Sequence, residues 1–335
     1  MNINYINQKI PQPTHAVIAV TYNCNSRCRM CNIWKRKPEK EIFPEVLAKL
    51  PESLDDINIS GGEPFLRKDL VRILDIVFDR CDPSKVVIST NGLLPEVITA
   101  RVKEIMSKPY GDRVEVAISL DGIGAPHNYN RGIPDAYDRA VKTIDSLQAI
   151  GFKNIGLGYT FVQGTEEGFA GVKKLADKKD LNLGVTIAHN SDNYFGTQDN
   201  DSPDASEVKR QLKPLMKDKL QSLKKNELGK CYYLHGLNEY ARTAKPILPC
   251  SALRDSFFMD PKGYIYPCNI LNHAVGNLVQ DDFSAIWKSE SAYKVRNTVK
   301  NCPTPCWMVC TAKPSIKRNK IKAGWWLVKS KIFGL

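Results

Sequence analysis

The sequence predicts an α/β fold, a partial (β/α)6 barrel of the TIM type followed by a small C-terminal domain. Two observations carry this. Six apolar runs, near residues 15–21, 55–60, 85–90, 113–120, 154–162 and 182–188, alternate with helix-like stretches at 68–80, 94–107, 135–150 and 166–178. Such alternation builds a parallel sheet whose active site gathers at the carboxyl ends of the strands. Beyond residue 240 the alternation stops, and Cys250, Cys268, Cys302, Cys306 and Cys310 follow in close succession. The 335 residues suffice for a barrel over 14–192, a polar connection over 193–240, a cysteine-bearing domain over 241–316 and a tail over 317–335.

The first run leads into Cys24, Cys28 and Cys31, spaced C-x3-C-x2-C. Three close thiolates can hold three irons of a cubane and leave the fourth open, whereas structural zinc normally takes four protein ligands. A zinc knuckle or scattered buried thiols is the competing reading. The second run ends in Ser60, Gly61, Gly62, Glu63 and Pro64, where missing side chains expose backbone groups and Glu63 adds a carboxylate, a turn suited to an ammonium group. The third ends in Ser89, Thr90 and Asn91, the fourth in Ser119 and Asp121. Singly these are ordinary connectors or helix caps; together they place polar groups at one end of the sheet. The fifth and sixth ends, 159–163 and 186–191, fall on the substrate side, with His189 as a candidate catalytic residue and Asn190 beside it.

Jointly, these motifs resemble the radical SAM enzymes. The resemblance implies a [4Fe-4S] cluster on Cys24, Cys28 and Cys31, with S-adenosylmethionine chelating the open iron through its amine and carboxylate. It implies that the turn at 60–64 receives the amine, that Ser89, Thr90 and Asn91 make third-strand polar contacts, and that Ser119 and Asp121 lie near the ribose. Arg131 stands where many relatives place an arginine on the carboxylate, a solvated loop arginine being the alternative. Met30 replaces an aromatic residue that packs on the adenine in many relatives, and methionine can cover a ring face.

Residues 256–268 read as a hairpin turning at 260–263 that delivers a thiol from each flank. The G-x4-C segment from Gly263 to Cys268 and the later cysteine run are similar to the SPASM/Twitch extension of radical SAM enzymes. A full SPASM domain generally uses seven cysteines for two clusters. With five, the shorter Twitch arrangement and one auxiliary [4Fe-4S] cluster are implied, on Cys250, Cys268, Cys306 and Cys310, with Cys302 exchangeable for Cys306. Structural zinc is the alternative. Cys81 reads as a packing thiol, and Cys231 as a candidate hydrogen-atom donor or an inert core residue.

Cysteines grouped in metal-like clusters and the lack of a secretory leader predict a reducing, cytoplasmic setting. No apolar run approaches the roughly 20 residues that span a bilayer. Residues 192–228 are polar and read as a lid or linker followed by a mainly solvated basic helix. Much of the net charge of +12 sits at the end of the chain. There Ile321, Trp325, Val328, Ile332 and Leu335 form an apolar stripe beside lysines, widened by Trp326, Leu327 and Phe333. The tail therefore makes peripheral membrane contact or packs on the protein. With no helix-turn-helix and no aromatic-interleaved basic patch, nucleic acid is a disfavoured partner.

The expected function is reductive cleavage of S-adenosylmethionine to a 5'-deoxyadenosyl radical, with flavodoxin or ferredoxin as electron donor. The radical takes hydrogen from a C–H bond of a polyol, carbohydrate or lipid-linked substrate, in an oxidation or an epimerisation. That substrate class rests on the short stretch before the first run, residues 1–14, which is too brief for the recognition domain that peptide-modifying relatives often carry. The alternatives are a peptide-modifying maturase, or a non-catalytic iron-sulfur or zinc protein for electron transfer or scaffolding.

Overall fold

The computed structural model describes residues 10–37, 39–196 and 199–334. All six expected strands form: β1 (His15–Thr21), β2 (Asp56–Gly61), β3 (Lys85–Thr90), β4 (Val114–Ser119), β5 (Ile155–Phe161) and β6 (Asn182–Ile187). They pair in parallel in sequence order. The expected crossover helices form within two residues of their predicted ends: α1 (Leu70–Cys81), α2 (Pro95–Met106), α4 (Ala136–Ala149) and α5 (Gly168–Lys178). Strand alternation explains the layering. Val86 and Ile88, or Val114, Val116 and Ile118, are buried in the apolar core, while Asn58, Ser60, Ser89 and Ser119 take the intervening positions and are half-buried. Each fully buried Ile or Leu of that core contributes about 1.5–3 kcal/mol.

The sheet is open and extends beyond β1, in the order β6-β5-β4-β3-β2-β1-β7-β8-β9. The expected hairpin forms as β7 (Ser256–Met259) and β8 (Tyr264–Tyr266), with β9 (Gly276–Asn277) at the edge. Its first strand runs parallel to β1, pairing His15 with Ser256 and Ile18 with Met259. The cysteine-bearing region is thus built onto the barrel sheet, and β1, whose loop carries the first three cysteines, lies between the two halves. Helices α8 (Phe283–Lys288), α9 (Glu290–Lys300), α10 (Val309–Arg318) and α11 (Lys320–Phe333) complete the chain.

Three expectations change. Residues 125–131 form a short helix, α3 (Ala125–Arg131), so Arg131 is not a solvated loop residue; it is 8% exposed. The polar stretch after residue 192 carries no solvated helix but a packed pair, α6 (Ala205–Gln221) and α7 (Lys225–Thr243). In α6, Val208, Leu212, Leu215, Met216 and Leu220 recur at helical spacing and are buried, a stripe that the surrounding lysines hide in composition. Asp204 caps its first turn by accepting from the Glu207 N–H at 2.8 Å. In the tail, Trp326 and Leu327 do not widen the outer stripe. They pack inward, Trp326 stacking on His235 of α7 with ring centroids 4.2 Å apart, while Leu335 lies outside the described residues. No described helix is long and apolar enough to cross a membrane.

Candidate active site: two thiol-lined cavities

The loop after β1 is fixed on three sides. Against β2, the Gly62 and Glu63 N–H groups donate to the Thr21 and Asn23 carbonyls, each at 2.8 Å. A Cβ on Gly61 would lie 2.2 Å from the Thr21 oxygen, and one on Gly62 2.2 Å from the Asn23 oxygen. These glycines are therefore demanded by the approach of the cysteine loop itself. Replacing Gly62 by alanine is expected to cost about 1–3 kcal/mol in urea unfolding and to lower the iron bound per chain, because the clash is with backbone that cannot swing aside. Against α3, the Arg27 and Arg29 N–H groups donate to the Arg131 and Asn130 carbonyls at 2.9 and 3.0 Å. On the third side, the Asn32 N–H donates to the Phe195 carbonyl at 2.7 Å.

Cys24, Cys28 and Cys31 line one cavity of about 200 Å³ with Met30, Ser60, Gly61, Gly62, Ser89, Thr90, Asn91, Ser119, Arg131 and His189. These are most of the residues singled out in the sequence. Glu63, Pro64 and Asp121 do not line it. Glu63 is fully buried, and its carboxylate accepts from the Phe65 N–H at 3.1 Å and from the Thr90 hydroxyl and Asn91 N–H at 2.8 Å, joining the ends of β2 and β3. Burial pushes it up to about 7. It positions the turn and does not itself offer a carboxylate to an amine. Asp121, also fully buried, accepts from the Thr160 N–H at 2.9 Å and pairs with Arg131 at 2.6 Å. It therefore sets the arginine that reaches the cavity; the Arg131 Nη1 lies 3.6 Å from the Cys28 sulfur. Asn190 also departs from expectation: its amide exchanges two hydrogen bonds with the Asn200 backbone, each 3.0 Å.

Ser26, Ile33, Trp34, Tyr194, Phe195 and Met308 also line it and were not singled out in the sequence. The Tyr194 hydroxyl donates to the Gly61 carbonyl at 2.9 Å, accepts from the Gly61 N–H at 3.0 Å and lies 2.9 Å from Ser60 Oγ. It reaches the turn from residues 191–196, where Ser191 Oγ donates to the Asn269 carbonyl at 2.7 Å, next to Cys268. No periodicity marks such a strap. The signal that could have found it is the pair of aromatics in an otherwise polar stretch.

Cys231 does not reach the cavity. It is fully buried in α7, its thiol 3.4 Å from the Met216 carbonyl, and burial pushes it up to about 11. The structure places it as a packing thiol of α7, outside the residues that line the cavity. Cys81, 7% exposed, is likewise packed.

The second cavity, of about 500 Å³, is lined by Cys250, Cys268, Cys302 and Cys306. Cys310 is not in its wall, yet its thiol is raised by burial and by the nearby Cys306 and Cys250. All five cysteines therefore gather, and Cys302, unlike Cys310, lines the cavity itself. Trp307 locks the last run: its indole donates to the Tyr233 carbonyl at 2.9 Å, and its ring lies where a Cβ on Gly236 would sit. The Ala252 and Leu271 N–H groups point at the Cys250 and Cys268 sulfurs at 3.4 and 3.3 Å. Met308 and Phe195 line the first cavity and also pack on the small apolar cluster that contains Cys268, which lines the second, so they link the two regions.

Residues 18–176 match the family model of the radical SAM superfamily, and residues 250–311 match the SPASM model, an iron-sulfur cluster-binding domain. The chain belongs to the radical SAM superfamily. It is 26% identical over 288 residues to mycofactocin maturase MftC of Mycolicibacterium smegmatis, covering 82% of this chain and 70% of that one. It is 26% identical over 307 residues to the antilisterial bacteriocin subtilosin biosynthesis protein AlbA of Bacillus subtilis, covering 86% of this chain and 62% of the relative. Among solved structures, Streptococcus suis SuiB bound to S-adenosylmethionine matches with a TM-score of 0.64 at 15% identity, over 86% of this chain and 68% of that one, a likeness of fold.

A radical SAM domain binds a [4Fe-4S] cluster and S-adenosylmethionine, and a SPASM domain binds auxiliary iron-sulfur. The residues present fit these groups. Burial, with the neighbouring thiols adding to it, pushes Cys24 up to about 12 and Cys31 to about 11, a donor set that cationic iron would relieve. Among the described residues no three Cys, His, Asp or Glu side chains converge closely enough for a single metal ion; a cubane presents its irons at separate corners. Three residues lining the first cavity carry buried nitrogens without a partner: Trp34 Nε1, Arg131 Nε and His189 Nε2. Such atoms ask for a bound ligand.

Burial, aided by Arg131, lowers His127 to about 3, and burial lowers His189 to about 4, from the usual 6.5. Both are neutral in the fold, His127 Nδ1 accepting from the Asp121 N–H at 3.0 Å. A depressed imidazole stabilises the fold fully above pH 6.5 and loses that contribution as pH falls toward its folded value. Each should cost roughly 2 kcal/mol between pH 7 and pH 5. The urea midpoint should fall over that window, and fall less in His189→Gln.

Proposed function

We propose that this chain is a radical SAM maturase acting on a peptide. Bound in the first cavity, the cluster and S-adenosylmethionine supply a carbon radical able to take hydrogen from an unactivated C–H bond. The protein's residues would then divide the work. Cys24, Cys28 and Cys31 hold the cluster, Ser60 and the Gly61 and Gly62 backbone, braced by Tyr194, face the amine, and Arg131 faces the carboxylate. Met30 would cover the adenine, and Ser119 would face the ribose with Asp121 behind it. Thr160 of β5, Thr186 of β6 and His189 just beyond it also line this cavity and would face the substrate. Excluding water and holding one C–H bond in place is the protein's main contribution.

The observation behind this reading is that Met308 and Phe195, which line the first cavity, also pack on the apolar cluster that contains Cys268. An auxiliary cluster on the C-terminal thiols would take up an electron in an oxidation or bind the substrate. The peptide class is supported by the curated relatives named above, a mycofactocin maturase and a subtilosin biosynthesis protein. The polyol, carbohydrate or lipid-linked class rested on the brevity of the stretch before β1 and has no comparable support.

The test uses the reconstituted chain, dithionite, S-adenosylmethionine and fractions of deuterium-labelled cell extract. Deuterium should enter 5'-deoxyadenosine with a fraction whose activity is destroyed by protease. Transfer that survives protease and is lost on glycosidase or lipase treatment would overturn the peptide reading and leave the radical chemistry standing.

A further inference from the structure

The outer face of α11 has no role in either cavity. Its residues Ile321, Trp325, Val328 and Ile332 are 80%, 74%, 54% and 67% exposed, an unusual amount of bare apolar surface for one helix. At 3.6 residues per turn they fall within about 60° of arc. The opposite face is where the helix meets the protein: Ala323 and Ser330 are buried, and Trp326 packs on Tyr232 and His235. Between these faces lie two rows of exposed lysine, Lys322 and Lys329 on one side of the stripe and Lys320 and Lys331 on the other. Lys322 also donates to the Ile247 carbonyl. From residue 291 to 335 there are ten lysines and arginines and no acidic residue.

We propose that α11 docks this protein on an anionic lipid surface, lying in the interface plane with Trp325 and its neighbours inserted. The order of groups around the helix argues for this occupant. A lysine on each flank can lay its methylene stem along the apolar stripe while its ammonium reaches the headgroup plane. Tryptophan suits the same boundary, and although Lys313 and Arg318 of this run pair with Asp56 and Asp255, the exposed lysines that flank the stripe, Lys320, Lys322, Lys329 and Lys331, match an acidic leaflet. A second copy of the chain is a poorer occupant, since two such faces would set lysine rows against lysine rows. The proposal is independent of the substrate reading.

The experiment is co-sedimentation of the full reconstituted chain with vesicles of phosphatidylcholine alone or mixed with phosphatidylserine, at low and high salt. Binding is expected only with phosphatidylserine, weakened by salt, with a blue shift of tryptophan emission. Lys329→Glu with Lys331→Glu should weaken binding roughly tenfold or more, and Trp325→Ser with Ile332→Ser should abolish the emission shift. Both pairs are solvent-exposed, and cleavage of S-adenosylmethionine should be unchanged in each. Equal binding to neutral vesicles, no binding at all, or vesicle binding that both variants retain would overturn the proposal. So would a concentration-dependent dimer that the Trp325→Ser pair removes, which would assign the face to a second copy.

Discussion

Replacing Cys24, Cys28 and Cys31 together by alanine is expected to abolish formation of 5'-deoxyadenosine, a loss of roughly a millionfold or more, the usual scale of enzymatic acceleration. The loop itself should persist. Its position rests on backbone bonds, from Gly62 and Glu63 to Thr21 and Asn23 and from Arg27 and Arg29 to the end of α3, none of which uses a thiol. Iron should fall by about four atoms per chain, one cubane, while the five later cysteines keep theirs. Metal analysis and chromatography of the nucleoside check both halves. A triple variant that still makes the nucleoside would show that the radical does not originate at this loop.

Replacing Arg131 by methionine is expected to be the most destabilising single change at the site. Asp121 is fully buried and Arg131 is 8% exposed, with the two paired at 2.6 Å. Burial pushes the Asp121 carboxyl up, and the guanidinium opposes that. Removing the guanidinium strands a buried charge held only by the Thr160 N–H, at a cost of about 3–5 kcal/mol. Changing Asp121 to asparagine in the same chain should recover part of that loss, because the stranded charge goes with it. Urea unfolding of the two single variants and the double variant measures this, and strictly additive losses would mean the pair is not coupled. The Arg131 variant should also bind S-adenosylmethionine more weakly, since it loses the group that lines the cavity beside Cys28.

How much of this was legible in the sequence depends on the range of the signal. The strands and crossover helices were readable because Val86 and Ile88 or Val114 and Val116 alternate locally, and the cysteine loop because its spacing is a local property. The roles of Glu63 and Asp121 were not. A carboxylate in a loop looks the same in sequence whether it faces a ligand or is consumed by the Thr90 hydroxyl and the Asn91 N–H, and only the packing of β2 against β3 decides between them. Gly61 and Gly62 were found for an incomplete reason: their bareness makes room for the neighbouring cysteine loop. The strap carrying Tyr194 and Phe195 and the Met308 side chain come together at the first cavity across long sequence separations, where no local pattern exists. Pairing of β7 with β1 belongs to the same class, because a short buried strand does not announce which edge it joins.

The central claim is that the first cavity holds a cluster at which S-adenosylmethionine is reductively split. The most direct measurement is product analysis on the anaerobically purified and reconstituted wild-type chain given S-adenosylmethionine, with and without dithionite. The account predicts iron and sulfide in the protein, and methionine with 5'-deoxyadenosine in equal amounts only when the reductant is present. A chain that carries zinc alone, or an iron-loaded chain that leaves S-adenosylmethionine intact under reduction, would contradict it.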